Sequence, residues 1–151
     1  MTAPAVDESA PSRRRGKSAA AVFVGFLVVF ALSVATDQLL HVLNVYPPWG
    51  QPMFDTGLYI LALSYRSVYT VIGGYVTAKL APHSPMRHVW ALGIIGFFVA
   101  IAGAIATIPL KLGPTWYPIV LALIGLPCVW LGGVLYLRRH PELGSGARRR
   151  A

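Results

Sequence analysis

The sequence predicts an all-α integral membrane protein, a four-helix transmembrane bundle with both termini cytoplasmic, and three observations carry that prediction. Hydrophobic residues make up 56% of the chain and mean hydropathy is +0.61, too apolar for a soluble domain that must clothe a surface. Four apolar runs, at about 18–40, 57–80, 89–110 and 115–137, each have the roughly 20 residues a helix needs to cross about 30 Å of hydrocarbon. Charge is sparse, at 12% of residues, and gathers at the ends and in one short loop.

The N-terminal "MTAPAVDESAPSRRRGK" mixes Pro, Ala, Ser and charges of both signs without an apolar period. Residues 1–17 therefore read as a disordered basic cytoplasmic tail, 18–138 as the transmembrane domain, and 139–151 as a second such tail. The runs lack alternation and are about twice the length of a barrel strand, which excludes a β-barrel. A basic flank before an apolar run, with Ser33 and Ala35 at signal-cleavage spacing, offers a rival reading in which a cut leaves three spans. The length of the run and the helical pattern beyond Ala35 favour a retained first span.

Arg13, Arg14, Arg15 and Lys17 precede the first run, Lys79 and Arg87 flank the second connection, and Arg138, Arg139, Arg148, Arg149 and Arg150 follow the last run. Lys111 stands alone on the other side. The positive-inside rule then places both ends in the cytoplasm of a bacterial cell, in its inner membrane. This distribution accounts for the net charge of +8 without nucleic acid, for which no basic stripe is available. The lone Cys128 excludes an intramolecular disulfide and reads as a small packing residue.

On the first helix Ser33, Asp37, His41 and Asn44 recur at helical spacing, and on the second Asp55, Tyr59, Arg66, Thr70, Gly73 and Thr77 share one line at 100° per residue. Each helix thus has one polar stripe. Lipid offers charged groups no partner, so the two stripes are expected to face each other as a buried polar cluster of Asp37, Arg66, His41, Ser33, Asp55, Tyr59 and Thr70. At 1.5 Å per residue Arg66 lies roughly 14 Å deep and Asp37 roughly 5 Å, a gap their side chains bridge, with Asp55 as the less favoured partner.

The connection "HVLNVYPPWGQPMFDTG" contains no Lys or Arg, and Pro47, Pro48 and Pro52 forbid a regular helix, so it reads as an interfacial cap carrying Tyr46 and Trp49. His41, Met53 and Asp55 match no metal-ligand spacing. Gly93, Gly96, Ala100, Gly103 and Thr107 form a small-residue seam on the third run, and Ala122, Gly125, Gly132 and Gly133 another on the fourth. With Gly73, the glycines at 93, 96, 103, 125 and 132 are expected to be helix-packing positions, where backbones approach closely. Pro127 removes one helical hydrogen bond and is expected to kink the fourth helix between Leu123 and Cys128. His83 and His88 read as exposed residues of the cytoplasmic turn.

The stretch "GGYVTAKLAPHSPMRHVWALGIIG", residues 73–96, with "TDQLLH", "YPPWGQPM", "YR" and "LGPTWYP", resembles a family of small, uncharacterised bacterial membrane proteins with four spans. The likeness covers most of residues 33–135. It implies the topology and carries no activity.

The function expected on these grounds is a non-enzymatic packing or interaction protein, whose partners are membrane lipids and either its own copies or another membrane protein. No cofactor, metal site or catalytic residue is expected. The alternative is a transporter or channel subunit that uses Asp37, His41 and Arg66 for a proton or small solute. An intramembrane enzyme ranks third: Asp37 and His41 are spaced as a base and its orienter, but no nucleophile accompanies them at a diagnostic spacing.

Overall fold

The computed structural model describes residues 9–142, with side chains from residue 16 onward. The outer parts of both expected tails, 1–8 and 143–151, lie outside the described residues. Among the described residues the chain forms helices α1 (Ser9–Val42), α2 (Thr56–Leu80), α3 (Pro85–Thr107) and α4 (Trp116–Arg139), with one 3-10 turn at Ile108–Leu110 and no strand.

The helices overrun the apolar segments where the flanking chemistry permits. α1 begins at Ser9, inside the segment expected to be a tail, because Pro11 falls in the first turn where no helical hydrogen bond is lost, and Arg, Lys and Ala are good helix formers. α3 starts four residues before its apolar run, with Pro85 at its first position, where proline's fixed φ suits a helix start. α4 runs through Pro127 as one helix. Asn44 leaves the α1 stripe altogether: it sits past the helix end at φ 56°, and the chain folds back so that the amides of Val45 and Tyr46 both donate to the Leu40 carbonyl. Asparagine is among the few residues that accept this left-handed geometry readily.

Gly16–Val42, Pro85–Leu110 and Trp116–Arg139 are long and apolar enough to cross a membrane. Their outward faces carry large apolar side chains, Phe98 66% and Ile105 70% exposed among them, an apolar belt no water-facing protein would display. α2 is as long but more polar. It packs against all three other helices, most extensively α4, so much of its surface meets protein.

Two ends of the bundle can be distinguished. At the loop end the two long connections meet, the Met53 amide donating to the Leu112 carbonyl at 2.8 Å. At the turn end α2 passes to α3 through Ala81–Ser84. Near the turn end the helices cross on glycine. A Cβ on Gly25 would strike Thr77, one on Gly73 Val29, one on Gly74 the Val129 carbonyl, one on Gly132 the Val71 carbonyl, and one on Gly133 Met86 and Val89. Gly93 belongs to the same set, since a Cβ there would lie 2.8 Å from a Val129 methyl. Around these crossings Ala78, Val89, Leu92, Val129 and Tyr136 form the buried core.

Three of the expected packing glycines do not act this way. A Cβ on Gly96, Gly103 or Gly125 would meet nothing within 4 Å, because toward the loop end the helices stand apart. His88 also differs from expectation: it is buried in the first turn of α3, with its ring 5.4 Å from that of His83.

Candidate functional site

Asp37 projects from the last third of α1 and Arg66 from the middle of α2, and they form an ion pair through Asp37 Oδ2 and Arg66 Nη2. The second carboxylate oxygen accepts the Tyr65 hydroxyl. Both acceptor atoms of Asp37 are thus engaged while its side chain is only 14% exposed, as a buried carboxylate requires. The network extends through Tyr46, whose hydroxyl lies 3.4 Å from that of Tyr65 and donates to the Leu58 carbonyl at 3.3 Å. One turn along the same interface Thr36 and Tyr69 share a hydrogen bond of 2.8 Å. Burial pushes the Tyr46 phenol above its ordinary range, opposed by the Tyr65 hydrogen bond and reinforced by Asp37, so the phenol stays protonated and serves as a donor.

Arg66 has donors to spare. Nη2 donates to Asp37, and the buried Nε finds no acceptor among the described residues. Its side chain also forms part of the wall of three cavities. The first, of about 220 Å³, lies beneath the connection 43–55 and is bounded by Asp37, His41, Tyr46 and Trp49. The second, of about 420 Å³, lies between α2, α3 and α4, with Gly103, Ala104 and Thr107 along one side. Tyr59, Leu112 and Tyr117 line both with Arg66, and so form the partition between them. The third, of about 240 Å³, reaches toward the core among α1, α3 and α4, past Ser33 and Thr70.

The structure brings together most of the expected cluster and removes one member. Asp37 and Arg66 touch, Ser33 is 7% exposed and lines a cavity with Thr70, and Thr70 donates to the Arg66 carbonyl at 2.7 Å. Tyr59 stacks near Tyr117, with centroids 4.7 Å apart. His41 is tied to the connection 43–55: Nδ1–H donates to the Pro47 carbonyl at 2.7 Å and the ring lies 3.9 Å from that of Trp49. It therefore makes no hydrogen bond to Asp37, and the base-and-orienter pair is not formed. Asp55 is exposed and caps α2, accepting the Leu58 amide at 3.1 Å. It stands at the helix start, too far up the stripe to enter the cluster, and its carboxylate does the work of an N-cap.

Tyr65, Tyr69, Tyr46 and Tyr117 are the site residues that the helical stripes do not include. Among the described residues no three His, Cys, Asp or Glu side chains gather as a metal site. No protein-family model, curated protein or solved structure matches the chain.

Proposed function

We propose that the chain is a non-enzymatic membrane receptacle: a four-span protein, both termini cytoplasmic, whose outer half admits a ligand to the Arg66–Asp37 pair and whose inner half is closed. The observation that carries this reading is the position of Arg66, a cation with unused donors at the meeting point of three cavities. Ligand sites combine such convergent polar groups with apolar walls. At the turn end the helices instead close on glycine, a Cβ on Gly25, Gly74 or Gly132 striking the helix opposite.

The fourth span is α2. Its polar residues face protein and cavity, which is how a membrane helix tolerates them. With the loop end outside, Lys79, Arg87, Arg138 and Arg139 all fall on the cytoplasmic side, with Lys111 opposite. Gly96, Gly103 and Gly125 supported a packing role only as close-contact positions, and they line cavities instead. Binding is therefore preferred to pure association as the function. Asp37, engaged on both oxygens, is in no position to act as a catalytic base.

Thiol labelling from each side of the membrane tests the receptacle. In a Cys128→Ser background, Ala62→Cys and Ala104→Cys, which line the two outer cavities, are expected to react with an impermeant maleimide from outside. Ala78→Cys, 1% exposed in the core, is expected to react from neither side. Labelling at Ala78→Cys from outside would replace the receptacle with a conduit, and silence at both outer positions would remove it. A reporter fused after Ala151 tests orientation, and periplasmic activity there would invert the assignment.

A further inference from the structure

We infer that the third cavity holds the hydrocarbon chain of an oxyanion-headed amphiphile taken from the bilayer, with its carboxylate or phosphate beside Arg66. This rests on the reading of the outer half as a receptacle and specifies the class of its ligand.

The walls have the polarity of such a molecule. Arg66, Ser33 and Thr70 supply the polar part, and the remainder is apolar, from Phe26 and Leu92 to Phe97. The rim gives the route of entry. Phe30 and Val99, on α1 and α3, line the cavity and are 57% and 50% exposed, so the mouth opens between two apolar helices, onto hydrocarbon. A water-borne ligand would not enter there, whereas a lipid-borne one partitions in without leaving the membrane.

Electrostatics selects the headgroup. Asp37 has both oxygens occupied, whereas Arg66, in the cavity wall, commits Nη2 to it and keeps a buried Nε without an acceptor among the described residues. A guanidinium with free donors matches the paired oxygens of a carboxylate or phosphate. Tyr65, by donating to Asp37, lets the one cation serve two oxyanions. The hollow itself exists because Gly96 and Gly125 carry no side chain, and a Cβ on either would meet nothing within 4 Å. A Cβ has room at either position, and leucine there is expected to fill the slot.

Native mass spectrometry of the full chain released from a neutral detergent tests this, with palmitate, phosphatidylglycerol and inorganic phosphate as probes. One-to-one binding of palmitate or phosphatidylglycerol is expected, with inorganic phosphate much weaker. Gly96→Leu and Gly125→Leu should each weaken amphiphile binding by about tenfold or more while the melting temperature holds. Binding of neither amphiphile, equal binding of inorganic phosphate, or unchanged affinity in both variants would overturn the inference. So would a dimer that Gly96→Leu dissociates, since the groove would then seat a second copy. Neither glycine lines the two outer cavities, so labelling at Ala62→Cys and Ala104→Cys reports on the receptacle separately.

Discussion

The two halves of this bundle use the same small residues to opposite ends. Toward the turn, Gly74 and Gly132 let α2 and α4 approach until carbonyl and Cα nearly touch, and Gly25 makes room for Thr77, which is fully buried. Toward the loops, Gly96, Gly103 and Gly125 face space. Glycine shortens the distance between helices only where something opposite moves in; otherwise it hollows the wall. The difference teaches that a small-residue seam predicts a lack of side chain, and the neighbouring helix decides whether that becomes contact or cavity. The ion pair lies in the hollow half, while in the turn half the apolar core around Val89 and Val129 is accompanied by buried Thr77 and His88.

The largest effect is expected from filling a crossing. Gly132→Leu would drive a side chain into the Val71 carbonyl and the Tyr75 amide, whose positions α2 fixes. Overpacking against backbone should cost about 3 kcal/mol or more, a large fraction of a typical folding free energy. Size exclusion in detergent should show loss of the folded peak. A variant that elutes like wild type would mean the two helices are not held at this distance.

Breaking the ion pair should come next. Arg66→Gln and Asp37→Asn each strand a partly buried charge, at about 3 kcal/mol apiece, toward the lower end of the usual range because Arg66 keeps 28% of its side-chain surface. Made together they should cost at least about 1 kcal/mol less than their sum. Additive losses in thermal unfolding would separate the two residues energetically. Tyr65→Phe should cost less, about 1.5 kcal/mol, since it removes one hydrogen bond to a carboxylate and leaves the ion pair in place. An unchanged melting temperature would show that Asp37 does not depend on the phenol.

How much of this was legible in the sequence depended on whether a helix had a distinguishable face. The polar stripes of α1 and α2 are sparse in apolar surroundings, so their positions fixed the rotation of both helices and brought Asp37 to Arg66. The same rule missed Tyr65, which lies 100° from Arg66 and reaches Asp37 only because a phenol is long. Asp55 shares the face of Arg66 but stands near the surface, where the helix start claims its side chain as a cap. α3 is apolar all round, so nothing in its pattern states which face turns inward. Gly93 and Gly96 differ by one turn, look alike in sequence and line the same cavity, yet a Cβ on the first would crowd Val129 and one on the second would meet nothing within 4 Å. Only the splay of the helices separates them, and that arises from packing at positions far along the chain.

The smallest effect should come from Gly103→Leu, and its smallness sharpens the comparison. Gly103 sits on α3 in the wall of the 420 Å³ cavity, with nothing within 4 Å of its Cβ position. A leucine there extends into the cavity and replaces a poor helix former with a good one, so the intrinsic term is favourable by up to about 1 kcal/mol. Against this stands whatever ordering the new side chain suffers, about 0.5–1 kcal/mol. The two nearly offset, and thermal unfolding should shift little in either direction, in contrast to the collapse expected for Gly132→Leu in the other half. Labelling at Ala104→Cys, the next residue on that wall, should meanwhile slow, because the leucine narrows the cavity without closing the fold. A loss of stability approaching that of Gly132→Leu would mean that α3 and its neighbours close on Gly103, and the loop half would then be packed like the turn half.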